Sequence, residues 1–245
     1  SSDLNIVIAA RNLDKLTETM NELTQSGAKV LSVEADVSIE EDCKRIVQAT
    51  IIRFGSIDAL ICNAGISMRA LFADVDLSVL KQLMDVNFWG TVYCAKYALP
   101  HLLKSKGSIV GISSIAGKKG LPARTGYSAS KFAMEGFLET LRTENLKNGL
   151  HVLVVSPGFM ATNIRNRALS RDSATQGASP RDEKKMMSAE ELASRIYKAA
   201  VKRKRDLVTT PTGKLTVLLD KFFPSFVDKL VFNHMAKEKN SPLKK

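Results

Sequence analysis

The segment Ser113 to Lys131, SSIAGKKGLPARTGYSASK, holds the residues best suited to chemistry. Tyr127 and Lys131 stand four apart where a helix is expected to start, so they share one face and their polar heads can converge. A tyrosine phenol has an ordinary pKa of about 10 and is a poor base near neutrality. A neighbouring ammonium favours the phenolate and is expected to bring that value down. A phenol tuned in this way can give a proton to a carbonyl oxygen or take one from an alcohol. A Tyr and a Lys at this spacing also occur as an ordinary solvated helix pair. Here the strand ending in Ser113–Ser114 and the Gly/Pro-bearing turn after it place them at the head of a site.

Other chemistries find little support. His101, His151 and His234 have no ligand-type spacing to one another or to Cys43, Cys62 and Cys94, so no metal is expected. No G-x-S-x-G elbow occurs, which argues against a Ser-His-Asp hydrolase. The three cysteines are scattered in apolar surroundings and read as reduced thiols of a cytosolic protein.

The elements that must position these residues alternate. Leu4–Ala9, Lys29–Glu34, Ile57–Cys62, Ser108–Ser113, His151–Ser156 and Asp206–Thr209 read as strands. Between them lie helical stretches from Asn12 to near Gly27, from the Ser38/Glu41 capping box to about Phe54, through Leu77–Lys104, from about Gly126 to Lys147, and from the Ser188/Glu191 cap to about Lys202. Such alternation predicts βαβ units and a parallel sheet buried on both faces by helices. No linker divides the 245 residues, so a single domain is expected.

Composition is ordinary for a globular chain, with 44% hydrophobic and 25% charged residues. This excludes disordered, collagen-like and disulfide-stapled classes, and no window is apolar enough to span a bilayer. Charge is the unusual property: 36 Lys+Arg against 25 Asp+Glu gives +11, favouring anionic partners such as phosphorylated cofactors or acidic surfaces. Only 6% of residues are aromatic, so little stacking material exists for single-stranded nucleic acid, and no nucleic-acid partner is expected.

Several further signatures occur in order: Asp36-Val37, Asn63-Ala64-Gly65, Asn87 in DVNFWG, Ser114, Tyr127-x-x-x-Lys131, and Pro157-Gly158 with Thr162. From Leu4 to about Val208 the chain resembles the short-chain dehydrogenase/reductase superfamily. The resemblance implies a Rossmann-like doubly wound parallel α/β sheet and hydride transfer between NAD(P) and a carbonyl or alcohol. It implies Tyr127 as general acid or base, Lys131 as the group that lowers its pKa and holds the nicotinamide ribose, and Ser114 as the residue polarising the carbonyl. Asn87 would hold a water linking Lys131 to solvent. Asp36 and Val37 resemble adenine contacts, Asn63, Ala64 and Gly65 the strand end passing the cofactor ribose, and Pro157, Gly158 and Thr162 contacts to the nicotinamide.

Cofactor choice is read at the end of the first visible strand, where Ala10 is followed by Arg11 in place of an acidic residue. A guanidinium can pair with a 2′-phosphate that a carboxylate would repel, so NADP(H) is expected over NAD(H). The family's opening strand and Gly-rich turn, T-G-x-x-x-G-x-G, do not appear; Ser1-Ser2 run straight into Asp3 and the next strand. In the family's strand order that strand lies between Leu4–Ala9 and Ile57–Cys62, so a chain without it should leave two apolar sheet edges. The expectation is that the molecule has residues ahead of Ser1; a fragment unable to bind cofactor normally is the alternative.

Leu121, Pro122, Phe159 and Met160 are expected to line the substrate cleft, favouring a hydrophobic carbonyl compound, although ordinary loop packing would use the same residues. A mobile substrate loop is expected at about 163–187, with its most polar stretch from Ser170 to Lys185. At about 214–238, Leu215, Leu218, Leu219, Phe222, Phe226 and Leu230 recur at helical spacing with Lys214, Lys221 and Lys229 among them. This amphipathic extension is expected to pack over the cleft or on another subunit, with peripheral membrane contact as the alternative. The helices around Val86–Leu99 and Phe132–Leu146 resemble the family's subunit-pairing helices, implying a homodimer or homotetramer. The leading function is an NADPH-dependent carbonyl reductase; the alternative is a non-catalytic cofactor-binding or scaffold protein of the same fold.

Overall fold

A computed structural model of the chain describes residues 4–177, 179 and 186–244. Ser1, Ser2 and Asp3 lie outside the described residues, as do 178 and 180–185 of the expected substrate loop. Among the described residues six parallel strands form in the order β1 (Asn5–Ala10), β2 (Lys29–Glu34), β3 (Ala59–Cys62), β4 (Ser108–Ile112), β5 (His151–Ser156) and β6 (Asp206–Val208). They fall into two sheets. β1 pairs with β2, from Asn5 opposite Lys29 to Ala10 opposite Glu34, and β3-β4-β5-β6 form the other. Among the described residues β1 and β3 each pair on one side only, and Leu4 and Ile61 are exposed.

The α-helices among the described residues are α1 (Leu13–Gln25), α2 (Glu40–Phe54), α3 (Leu77–Met84), α4 (Gly90–Ser105), α5 (Thr125–Glu144), α6 (Ala189–Val201), α7 (Pro211–Phe222) and α8 (Pro224–Ala236). Alternation along β5 explains why helices cover both sheet faces. Val152 and Val154 pack with Leu102, Met134 and Leu138 of α4 and α5, while Leu153 and Val155 pack with Val110 and Ala199 of α6. At Gly111, a Cβ would stand 2.2 Å from Leu138 Cδ1, so β4 and α5 approach as closely as a glycine permits. That contact fixes α5 over the end of β4.

Local signals held in part. Asn12 caps α1, its side chain accepting from Lys15 N at 2.8 Å, and Ser188 caps α6 by accepting from Glu191 N. The Ser38/Glu41 capping box does not form. Ile39 takes the cap position of α2, and Ser38 instead donates its hydroxyl to Asp36 Oδ1 at 2.7 Å, because that carboxylate is already organising the turn. Within the expected substrate loop, Leu169 is stitched to the segment at Ser67–Arg69 by reciprocal backbone hydrogen bonds of 2.8 Å. The C-terminal extension is two helices divided at Pro224.

Candidate active site

Ser114 follows β4 and Tyr127 is the third residue of α5, so strand end and helix start bring their hydroxyls together. Ser114 accepts from Ala116 N at 3.1 Å, and its hydroxyl is among the groups that act on the Tyr127 phenol. The Tyr127 ring packs against the buried cluster of Met68, Val79, Leu83 and Leu169. One turn along α5, Lys131 is buried, with Nζ donating to the Ile112 carbonyl at 2.8 Å and lying 6.0 Å from the Tyr127 ring centroid. Three of the four residues expected to carry catalysis, Ser114, Tyr127 and Lys131, thus stand where β4 ends, and the fourth, Asn87, lies beside Lys131 across Gly65.

Acidity differs from the sequence expectation. Burial pushes the Tyr127 phenol above its usual value, opposed by the Ser114 hydroxyl and the Arg124 guanidinium. The Lys131 amine is turned to the Ile112 carbonyl and is not among the groups that lower the phenol. Burial instead lowers Lys131 itself to about 8, against opposing contributions from Cys62 and Glu135. The amine is therefore poised to release a proton near neutrality.

Asn87 sits in a π-helical turn at Asp85–Trp89 between α3 and α4, a form that often marks functional positions. Fully buried, it accepts from Ile66 N at 2.8 Å and donates to Ile66 O at 3.0 Å and Ser130 Oγ at 2.9 Å. Ser130 in turn donates to the Tyr127 carbonyl at 2.9 Å. Ser130 was not singled out in the sequence, although its place three residues after Tyr127 puts it on the same helix face. Asn63 and Ala64 are exposed after β3, and a Cβ on Gly65 would lie 3.2 Å from Asn87 Oδ1 and 3.5 Å from Lys131 Nζ. Glycine there keeps the approach to the amine open.

On the other sheet, Arg11 is exposed after β1 and its guanidinium reaches Asp36 at 3.3 Å. Although partial burial works against it, hydrogen bonds from Ser38 and the Arg11 cation hold the Asp36 carboxyl below the usual range. Val37 seats against Gly90, where a Cβ would fall 2.8 Å from Val37 Cγ2. Pro157 and Gly158 follow β5, Pro157 accepting from Ile115 N at 3.0 Å, and Thr162 N donates to Met160 O at 3.0 Å. These positions all cluster at the carboxyl ends of strands, where ligands bind in open α/β sheets.

The substrate candidates are less unified. Leu121 N donates to Ser128 Oγ, Met160 bridges to Met187, and the Phe159 ring lies 6.1 Å from that of His234 on α8. A cleft of about 570 Å³ between α8 and the turn before α5 is lined by Pro122, with Val231 and Phe232 opposite, and takes in none of the other three. Among the described residues, no three His, Cys, Asp or Glu side chains are grouped to hold a metal.

The close approach of Gly65 to the buried amine and the Arg11 cation at the β1 end suit a nicotinamide dinucleotide lying across the strand ends. Comparison with known proteins agrees with this geometry. The model of the short chain dehydrogenase family matches residues 1–173. Dehydrogenase/reductase SDR family member 7B of Mus musculus is 32% identical over 242 residues, covering 96% of this chain and 75% of that protein. The 11-beta-hydroxysteroid dehydrogenase-like 4A of Arabidopsis thaliana is 41% identical over 163 residues, and this match spans 54% of its length. Among solved structures, a short chain dehydrogenase/reductase from Burkholderia phymatum in complex with NAD superimposes with a TM-score of 0.80 at 24% identity, covering 91% of this chain and 85% of that one. The alcohol dehydrogenase of Thermococcus sibiricus complexed with 5-hydroxy-NADP gives 0.72 at 21%, covering 83% and 84%. The chain belongs to the short-chain dehydrogenase/reductase family and is an NAD(P)-dependent oxidoreductase acting on CH–OH and C=O groups.

Proposed function

We propose that this enzyme transfers hydride between NADP(H) and a hydrophobic carbonyl compound or its secondary alcohol, with Tyr127 moving the proton. The observation that carries this is the convergence of Ser114, Tyr127 and the buried Lys131 amine at one strand end. The bound nicotinamide supplies or accepts the hydride. Tyr127, kept protonated by burial, gives its hydroxyl proton to the carbonyl oxygen in reduction and takes it back in oxidation. Ser114 directs a donor at the same oxygen as charge builds there. Lys131, lowered to about 8, returns a proton to the phenolate and holds the ribose hydroxyls. Asn87 fixes the wall beside Lys131, where a water completes the path to solvent.

Arg11 supports NADP(H), since its exposed guanidinium can take the 2′-phosphate, with Asp36 and Val37 at the adenine. Asn63, Ala64 and Gly65 flank the ribose, and Pro157, Gly158 and Thr162 the nicotinamide. Leu121, Phe159 and Met160 favour an apolar substrate. Trp89 stacks on Tyr93 and both Trp89 and Phe132 are exposed, which supports a homodimer or homotetramer through α4 and α5. The test is NADPH oxidation against a panel of aliphatic and aromatic carbonyls, repeated with Tyr127→Phe. Loss of turnover in the variant with cofactor binding retained supports the assignment; unchanged turnover overturns it.

A second reading concerns the α7–α8 hairpin. Its acids Asp220 and Asp228 both pair with Lys119, at 2.7 and 2.6 Å, while Leu215, Leu218, Phe222, Phe226 and Leu230 stand exposed beside Lys214, Lys221 and Lys229. An apolar face rimmed by lysines that make no ion pair among the described residues suits an anionic lipid surface. No helix among the described residues is long and apolar enough to cross a membrane. Flotation with anionic but not zwitterionic vesicles supports this contact, and self-association without vesicle binding assigns the face to another subunit.

A further inference from the structure

Glu135 lies on α5 one turn beyond Lys131, and neither the family signatures nor the mechanism above uses it. It is a buried carboxylate, its side chain only 10% exposed, with a donor from each of three separate connections. Ser113 Oγ, at the end of β4, donates to Oε1 at 2.5 Å. Ser156 Oγ, at the end of β5 and just before Pro157-Gly158, donates to the same oxygen at 3.2 Å. Lys118 Nζ, from the turn that leads toward Tyr127, meets Oε2 at 2.7 Å. The backbone is shaped around the group: a Cβ on Gly117 would fall 2.5 Å from Ser113 Oγ and 2.6 Å from Glu135 Oε1.

We infer that Glu135 is a positioning residue of this active site, clamping the Ser114 strand end and the Pro157–Gly158 turn onto the helix that carries Tyr127 and Lys131, and that its charge keeps Lys131 cationic. The inference rests on the catalytic reading of those residues given above. A carboxylate left unpaired at this depth would be strongly unfavourable, so the three donors and the carboxylate stand or fall together.

The second half of the inference follows from what surrounds the Lys131 amine. The Ile112 carbonyl of β4 and Met134 Sδ of α5 are neutral. Asn87, across Gly65, is a neutral amide, and the Tyr127 phenol on the other side is pushed up by burial and so uncharged near neutrality. The Cys62 thiol of β3 is pushed up to about 12 by burial and stays protonated as well. Glu135 is then the carboxylate among the described residues that acts on the amine, beside the Cys62 thiol, and Lys118, which also lies 3.7 Å from Asp206, moderates its field. Burial raises Glu135 itself, against the opposing Lys118 cation and Ser113 hydroxyl.

Two variants separate this role from a merely structural one. Glu135→Gln keeps the shape and the acceptor for both serines but removes the charge; Lys118→Met removes the neutralising cation and leaves the carboxylate. Each is titrated by NMR on protein carrying ¹³Cε-labelled lysine, without cofactor, with the Lys131 resonance assigned by Lys131→Met. The Lys131 midpoint is expected to fall by about one pH unit in Glu135→Gln and to rise in Lys118→Met. The basic limb of the NADPH-dependent kcat profile should move in the same two directions, with kcat of Glu135→Gln down about 10- to 100-fold and KM for NADPH little changed. An unmoved Lys131 midpoint in both variants overturns the inference. Should Glu135→Gln fail to fold, the Lys118→Met midpoint decides alone. A Tyr127→Phe variant that stays active would instead defeat the catalytic reading, whatever the Lys131 midpoints show.

Discussion

The Lys131 amine donates to the carbonyl oxygen of Ile112 at 2.8 Å, and Ile112 is the last residue of β4, two before Ser114. A buried ammonium is thereby held against the strand that presents the carbonyl-polarising serine, at an energetic cost to the fold. The folded-state pKa of about 8 lies below the ordinary 10.5, so charging Lys131 is harder in the folded chain than in the unfolded one. The resulting destabilisation is fully present below about pH 8 and fades as the pH rises toward 10.5. Lys131→Met should abolish turnover yet stabilise the protein at pH 7 by on the order of 1–3 kcal/mol, after allowing for the lost hydrogen bond to Ile112. Urea unfolding at pH 7 and pH 10 checks this; the gain must shrink at the higher pH, and a variant less stable than wild type at both shows that the amine is not desolvated.

The Ser114 hydroxyl is among the groups that oppose the upward shift of the Tyr127 phenol. Ser114→Ala should therefore raise Tyr127 further and move the rise of alcohol oxidation with pH to more alkaline values. Turnover in either direction should fall about 100- to 10,000-fold for Tyr127→Phe, the range typical of a lost proton donor. Stopped-time assays from pH 6 to 10 with both variants provide the check. A Ser114→Ala profile that falls in height without moving would leave serine as a substrate contact only.

How much of this arrangement was legible in the sequence depends on the range of the interaction. The strands and the spacing of Tyr127 and Lys131 follow from local pattern, because side-chain periods of 2 and 3.6 are written into consecutive residues. The direction of the Tyr127 shift was not legible. Which way a buried amine turns depends on an acceptor nineteen residues away, the Ile112 carbonyl, and no local pattern encodes that choice. Ser38 shows the same limit at close range. Its sequence context spells a helix cap, but the Asp36 carboxylate two residues earlier captures the hydroxyl first. Glu135 was missed because an acid amid a helical pattern reads as a solvated face unless the packing of β4 and β5 against it is known.

Arg11 and Asp36 form a contact of 3.3 Å that leaves the guanidinium mostly exposed at the end of β1. An exposed ion pair contributes little to stability, so replacing Arg11 should leave the unfolding midpoint nearly unchanged. Its effect should appear in cofactor choice. Arg11→Ala is expected to raise KM for NADPH about tenfold while changing KM for NADH little, the loss of one charge-assisted contact to a phosphate. Steady-state kinetics with both cofactors at one substrate concentration test it, and equal changes for the two would remove Arg11 from 2′-phosphate recognition.

Gly111 couples the sheet to the catalytic helix, because any side chain there meets α5. A Cβ would lie 2.2 Å from Leu138 Cδ1 and 3.0 Å from Met134 Cε, and both residues are in the fully packed core. Gly111→Ala should destabilise the protein by about 1–3 kcal/mol, as overpacking does. It should also push α5 away from β4, and since Tyr127 and Lys131 ride on that helix, kcat should fall more than KM rises. Adding Leu138→Ala makes room for the new methyl, so the pair should be more stable than the sum of the two single changes implies. A coupling of 0.5–3 kcal/mol is ordinary for residues in direct contact. If the double variant recovers stability and turnover together, the β4–α5 spacing sets the geometry of the site. Recovery of stability alone would mean that Tyr127 is positioned by its own neighbours, Ser130 and Met68, and not by the sheet.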